Sequence, residues 1–238
     1  MTLKKILITA VCLLWINSEY GQSSFTLTGG FNNSIFYCSQ ANSEYRHSFT
    51  ADNAYLVNFS YKENLSALKK NLQVGAQLEF KQQSAYFYYE DNFPTDTIAS
   101  GITYNIRSIN LYLFPEIKVG GNVKFIFSGG PVLQSIVNVE AIGKQVKIRT
   151  GQPNIETDIK DKNSKEISGF CFGAKVNLGV EILLYENLYF TFCNSYAAGF
   201  TGMKGNLSKR MKFFNCVDVN ISSGFVYVFN HKNWFDKE

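Results

Sequence analysis

Charged side chains recur at the polar positions of segments in which apolar and polar residues alternate. They are Glu79, Glu116, Lys118, Lys124, Lys175, Glu181 and Asp218. In a strand, such alternation puts the polar side chains on one face, where they would share an interior. Two kinds of chemistry fit: a gated path for ions, or a network of salt bridges. Because isolated charges in a low-dielectric interior must be paired, we expect a polar network built from Glu79, Glu116, Lys175, Glu181 and Asp218.

Two cysteines lie on the same face of neighbouring predicted strands. A hairpin folded about residues 204–205 would bring Cys193 and Cys216 together, which predicts a cross-strand disulfide. Two separate thiols facing the interior are the alternative. The five cysteines are widely scattered, with no CxxC pair and no cluster of Cys and His. We therefore expect no metal site and no cofactor.

A histidine and a serine stand next to each other at His47 and Ser48, in a polar segment. A serine activated by a histidine base is one arrangement for nucleophilic catalysis, here on a membrane lipid, with His47 as the only candidate base. A third group must orient that base, and the sequence identifies none. A solvated loop histidine is therefore favoured, and we expect no enzyme activity.

Length and composition narrow the class of protein. The chain has 238 residues, enough for one domain or at most two, and 16% of them are aromatic while only 18% are charged. This composition excludes a disordered chain and a coiled coil. The net charge of +4 includes no basic run of the kind that binds nucleic acid.

The first 21 residues have the pattern of a signal peptide. Lys4 and Lys5 precede an apolar run over residues 6–16, which is too short to span a bilayer. We expect export, with residues 1–21 removed and residues 22–238 forming one β-barrel domain.

Eight segments alternate with a period of two, the signature of half-buried strands. They are residues 24–37, 54–61, 72–89, 103–119, 123–138, 168–184, 187–198 and 212–229. The connections between them are alternately long and polar (38–53, 90–102, 139–167 and 199–211) and shorter (62–71, 120–122 and 185–186). Short turns at one end and long loops at the other are typical of a barrel in a bacterial outer membrane.

Alternation alone does not say which face is outside. A soluble lipocalin-like barrel has its apolar face inside, whereas a membrane barrel has it outside. The polar face here is mostly Gly, Ser, Thr, Asn and Gln, which suits a narrow lumen, and aromatic residues lie near the strand ends, as at a membrane interface. We therefore predict an all-β, eight-stranded antiparallel up-and-down transmembrane β-barrel. A secreted lipocalin-like carrier is the alternative.

One segment resembles a known family. Residues 109–118 resemble the fourth strand of the PorT-like outer-membrane β-barrel family, and Gly129-Gly130-Pro131 and the glycine-rich stretch 169–179 resemble its fifth and sixth strands. The resemblance implies an exported, eight-stranded outer-membrane barrel. It implies no catalytic residues.

The third and fourth strands look longer than the roughly ten residues that cross a bilayer. We expect their hairpin to protrude and to present an aromatic edge for binding, with Tyr86, Phe87, Tyr88 and Tyr89 as the candidate contact residues. An aromatic girdle with a self-packed loop is the alternative. The connection 139–167 is expected to be a mobile, solvent-facing loop. The expected partners are outer-membrane lipid and, through the loops, cell-surface or envelope proteins. A structural or surface-binding role follows from these expectations.

Overall fold

A computed structural model describes residues 22–38, 48–65, 71–92, 96–149, 151–164, 167–200, 203–205 and 213–230. The predicted signal peptide and His47 lie outside these residues.

The described chain is built from strands. They are β1 (Gln22–Cys38), β2 (Ser48–Asn64), β3 (Leu72–Asn92), β4 (Asp96–Gly120), β5 (Val123–Arg149), β6 (Ile155–Asp161), β7 (Ile167–Ser168), β8 (Phe170–Tyr185), β9 (Leu188–Gly199), β10 (Met203–Gly205) and β11 (Phe213–Asn230). No helix in the described part of the chain is long and apolar enough to cross a membrane.

Eight of the described strands form a closed ring in the order β1-β2-β3-β4-β5-β8-β9-β11. The first and last strands of the ring pair over their whole length, from Gln22 opposite Asn230 to Cys38 opposite Phe214. Every neighbouring pair is antiparallel. The all-β, eight-stranded up-and-down barrel predicted from the sequence is therefore confirmed. Closure satisfies the backbone of every strand in the ring and leaves no open sheet edge around it.

The tight turns lie where the sequence predicted them. Residues 121–122 connect β4 to β5, and residues 186–187 connect β8 to β9. Gly120 has a φ of 133°, a backbone conformation that favours glycine, and Glu186 has a φ of 36°. These turns define one rim of the barrel, here called the short-turn rim.

Three strands continue far beyond the opposite rim. β3, β4 and β5 have 21, 25 and 27 residues, and β6 pairs with β5 from Ala141 opposite Asp161 to Lys147 opposite Ile155. Together with residues 48–52 of β2, the outer parts of these strands form an open sheet, here called the extension. The predicted loops 90–102 and 139–167 are therefore mostly strand. Charged residues interrupt the apolar pattern there, but pairing along the sheet still satisfies the backbone.

Candidate functional site

The interior of the barrel is polar. All five residues of the predicted network, Glu79, Glu116, Lys175, Glu181 and Asp218, are buried inside it. Lys62, Lys81 and Lys118 are buried there too, so four lysines face four carboxylates among the described lumen residues. All eight side chains take part in ion pairs.

Near the short-turn rim, four of these charges form one cluster. Lys62 Nζ lies 2.8 Å from Glu116 Oε1 and 3.6 Å from Glu181 Oε1. Lys118 Nζ lies 2.8 Å from Glu181 Oε2 and 3.5 Å from Glu116 Oε1. Each lysine therefore contacts both carboxylates, which is how buried charges offset their loss of hydration.

At mid-height, a single ion pair crosses the lumen. Lys175 Nζ on β8 donates to Glu79 Oε2 on β3 over 2.5 Å. The Asn110 amide on β4 donates to the other carboxylate oxygen of Glu79 over 2.7 Å. This pair ties together strands that are not neighbours in the ring.

Towards the opposite rim, Asp218 is the centre of a second cluster. Lys81 pairs with its carboxylate, and the Ser34 hydroxyl and Gln83 amide donate to it over 2.6 and 2.9 Å. The Gln134 amide donates to Gln83 Oε1 over 2.8 Å. The Asp218 carboxylate on β11 is therefore held by groups from β1 and β3, and Gln134 on β5 contacts one of those groups, Gln83.

Aromatic packing fills the lumen between the clusters. The rings of Tyr112 and Phe114 stack with centroids 4.5 Å apart. Phe114 lies against Gly75, where an added Cβ would be 2.7 Å from the ring. Two cavities remain in the described lumen, of about 40 and 20 Å³. Spaces of this size suit one to a few water molecules rather than larger solutes.

Sequence reasoning missed two of the lumen lysines. Lys81 occupies the same face of β3 as Glu79, so alternation alone could have placed it in the network. Lys62 lies on the polar face of β2 next to the strand end, where the pattern becomes too short to read. Lys124, by contrast, lies at the short-turn rim, where it donates to the Tyr189 hydroxyl over 3.0 Å.

The predicted disulfide between Cys193 and Cys216 is wrong. In the observed register, Cys193 on β9 lies opposite Ser222 on β11, and Cys216 lies six residues further along that strand. At about 3.3 Å per residue, their Cα atoms are separated by about 20 Å, far beyond the roughly 7 Å that a disulfide can bridge. Cys193 is a free thiol.

The outer surface of the barrel is apolar. On β4, Ile109, Leu111, Leu113, Pro115, Ile117 and Val119 face outwards, and the Leu113 side chain is 48% exposed. Large apolar side chains are also exposed on β1, β2, β3, β5, β8, β9 and β11. From Ile109 to Val119, a strand tilted by about 40° rises about 25 Å, the height of the apolar band on a bilayer-spanning barrel.

The polarity of the two faces reverses where β4 leaves the barrel. The reversal coincides with an irregularity in the pairing of β4 with β5 between Arg107 and Ser108. Beyond it, the inward-facing residues Ile102, Tyr104 and Ile106 are apolar and buried. The outward-facing residues there are Arg107, Asn105, Thr103, Gly101 and Ala99. The extension is therefore apolar inside and mixed in character outside.

A groove of about 700 Å³ lies on this outward face of the extension. Tyr86 and Tyr88 line one side of it, and the β6 residues Asp158 and Lys160 line the other. Ala99, Gly101 and Gly143 are small residues on its floor, where the Tyr86 side chain lies over Gly101. Thr103, Ile142, Lys144, Val146 and Ile159 complete the lining.

The predicted aromatic edge is wrong in one respect. β2 pairs with β3 as far as Tyr88, and β5 pairs with β4 over the whole extension, so the hairpin is not an edge. Tyr86 and Tyr88 belong instead to a face. Phe87 and Tyr89 lie on β3, and their side chains are outside the described part of the structure.

A small ion cluster lies at the outer end of β4 and β5. Lys147 Nζ and Arg149 Nε are 2.8 and 3.4 Å from the carboxylate of Asp96. The hydrogen bond from Lys147, together with the positive charges of Lys147 and Arg149, holds the pKa of Asp96 below its ordinary value.

Within the residues that the structure describes, no group of three or more His, Cys, Asp and Glu side chains could hold a metal ion. The candidate base His47 is not among those residues.

Comparison with known proteins finds several solved structures that are similar to this chain. No protein-family model matches the chain, and no curated protein sequence matches it. Matching structures include Ail, the attachment invasion locus protein of Yersinia pestis, with 13% identity, a TM-score of 0.39 and coverage of 87% of this chain and 99% of Ail. The outer membrane protein OprG from Pseudomonas aeruginosa is 12% identical, with a TM-score of 0.43 and coverage of 87% and 96%.

Neisserial surface protein A is 11% identical, with a TM-score of 0.42 and coverage of 86% of this chain and 97% of that protein. Because these TM-scores are low, the evidence for the barrel fold is the closed ring of paired strands and not the similarity to these structures. The resemblance to the PorT-like family stays a prediction.

Proposed function

We propose that the protein is an integral β-barrel of a bacterial outer membrane, with a structural or surface-binding role and no catalysis. One observation carries the proposal: the barrel is charged inside and apolar outside over a height of about 25 Å. A water-soluble barrel would expose this apolar belt at a large energetic cost. Lipid hydrocarbon around the ring would cover the apolar belt. Ion pairing offsets the cost of burying the charged side chains in the lumen.

The polar, filled interior is unsuited to the lipocalin-like alternative, which needs an apolar cavity. It is equally unsuited to a porin, because open aqueous channels need about sixteen strands. We propose that the ion pairs plug the lumen and stiffen the barrel. The lipid-modifying alternative depends on His47 and is tested by His47→Ala, which should leave the lipid A of the cell unchanged if the protein has no such activity.

The surface-binding part of the proposal rests on the extension and its groove. Export through the predicted signal peptide at residues 1–21 and membership of the PorT-like family complete the proposal. Cell-surface or envelope proteins and outer-membrane lipid are the partners that such a surface would meet.

Fractionation of the full chain from cells tests the location. The protein should sediment with outer membranes and should migrate faster on a gel when it is not boiled, because a closed barrel resists detergent. A soluble protein without this heat shift would overturn the proposal. In a planar bilayer, the purified protein should give no steady conductance, whereas a stable open channel would contradict the plugged lumen.

A further inference from the structure

The groove on the extension belongs to the face that continues the apolar belt. Along β4, the outward positions run without a break from Ile109 in the belt to Thr103 and Ala99 in the groove. At a tilt of about 40°, these residues lie about 15 and 25 Å above the belt edge. Whatever surrounds the barrel just above the hydrocarbon therefore faces the groove.

The lining of the groove combines rings with donors and acceptors. Tyr86, which is 40% exposed, and Tyr88 form an aromatic side. Lys144, Asp158 and Lys160 offer cations and a carboxylate on the other side. Lys144 has only a loose, exposed contact with Glu156, 3.8 Å away, so its ammonium can still donate.

This combination selects one class of ligand. With two lysines and one aspartate, the lining carries both signs of charge and a net charge of only +1, so it can both donate to and accept from neutral hydroxyl groups. A saccharide has an apolar C–H face that packs on aromatic rings, and its hydroxyls donate as well as accept. The small side chain of Ala99 leaves room for such a ligand beside the aromatic side, whereas the Tyr86 side chain covers Gly101.

We infer that the groove binds the saccharide headgroup of a glycolipid in the outer leaflet of the membrane. The inference rests on the proposed function, because only a membrane-inserted barrel holds the groove beside such headgroups. The continuity of the groove with the belt favours a membrane-held saccharide over one from solution.

The substitution Gly101→Val tests the role of Tyr86 without removing a ring or a charge from the groove. A Cβ added at Gly101 would lie 2.4 Å from the Tyr86 hydroxyl, so Gly101→Val must move that ring. The double change Tyr86→Ala with Tyr88→Ala removes the aromatic side. Tyr185→Ala is the matched control, because Tyr185 is 69% exposed but lies at the short-turn rim.

The full chain and each variant are reconstituted in vesicles of phospholipid with a short-core lipopolysaccharide and are then re-extracted in mild detergent. Lipopolysaccharide retained per protein is measured by mass spectrometry. The double variant should retain about tenfold less than the wild type, Gly101→Val should also retain less, and Tyr185→Ala should be unchanged.

Equal retention by all the proteins would assign the groove to another occupant, such as a polypeptide strand or a second copy, and would overturn the inference. If the core oligosaccharide without its lipid bound as tightly as the intact lipopolysaccharide, the inference that the bound saccharide belongs to a membrane lipid would be overturned. The gel heat shift is recorded for every variant. A wild type without that shift refutes the proposed function, whereas a normal shift with equal retention refutes only the saccharide site.

Discussion

The two halves of β4 pair continuously with β3 but have opposite polarity. In the barrel half, Leu113 faces outwards and Glu116 is buried inside. In the extension half, Ile106 is buried inside and Arg107 is exposed outside. The hydrogen-bonded ladder to β3 continues through both halves without a shift in register.

The reversal teaches that surroundings, and not strand geometry, decide which face of a strand is apolar. Where the sheet closes into a ring, its interior is too narrow for a separate apolar core and is filled by paired charges. Where the sheet opens beyond the rim, its inner face is buried as in an ordinary domain, and its outer face is mixed in character. The position of the reversal, at Arg107 and Ser108, therefore marks the proposed outer edge of the hydrocarbon.

Breaking an ion pair in the lumen should have the largest effect. Glu79→Leu leaves Lys175 buried without its carboxylate, which should lower the free energy of unfolding by about 3–5 kcal/mol. Urea titration in detergent, with the folded fraction read from the gel heat shift, measures the loss. Adding Lys175→Met should recover most of it. If the double variant is no more stable than the single one, the pair does not hold the lumen together.

A charge placed on the outward face tests the reversal directly. Leu113→Arg, near the middle of the belt, should cost about 2–4 kcal/mol of unfolding free energy in lipid vesicles. Thr103→Arg, on the same face of the extension, should change it by less than about 0.5 kcal/mol. Comparable losses at the two positions would contradict a membrane boundary between them.

Two isoleucines on either side of the boundary sharpen the comparison. Ile106→Val removes a methyl from a packed interior, since Ile106 is only 1% exposed, and should cost about 0.5–1.5 kcal/mol. Ile109→Val removes the same group from the outward face of the barrel, where lipid can fill the space, and should cost less than about 0.5 kcal/mol. Larger destabilisation by Ile109→Val in the same urea titration would argue that Ile109 packs against protein.

The smallest effect is expected from pH at the outer end of the extension. The pKa of Asp96 lies below its ordinary value of 3.8, so its ion pairs stabilise the folded protein above that pH. The contribution should disappear as the pH falls through the lowered pKa. The stability difference between the wild type and Asp96→Asn, measured by urea titration from pH 7 downwards, should therefore be small and should vanish in acid. A difference that persists at pH 2 would show that charge is not its cause.

Much of the barrel could be predicted because its alternation is strong. The period of two places the apolar residues of β4 on one face, and the small polar residues of the other face predicted that this apolar row points outwards and that Glu79 and Lys175 point inwards. The extension could not be read in the same way. Residues 139–149 carry charges on both faces, and their strand depends on pairing with β4 and β6, which is long-range information.

The incorrect prediction of a Cys193–Cys216 disulfide shows a second limit of prediction from the sequence. The sequence places Cys193 and Cys216 on the same side of neighbouring strands, but the register decides which residues are opposite. A hairpin centred only a few residues away moves Cys216 by six positions relative to Cys193. Alternation restricts such shifts to whole steps of two and does not choose among them.

By itself, then, the sequence determined the number of strands in the ring, their order and which residues share a face of the barrel, because each is a local consequence of side-chain period and turn position. The tertiary structure alone decided which lysine meets which carboxylate, where the polarity reverses and that Tyr86 and Tyr88 share a groove with β6. Those features depend on register and on contacts between strands far apart in the chain, and they are chosen by the packing of the whole sheet.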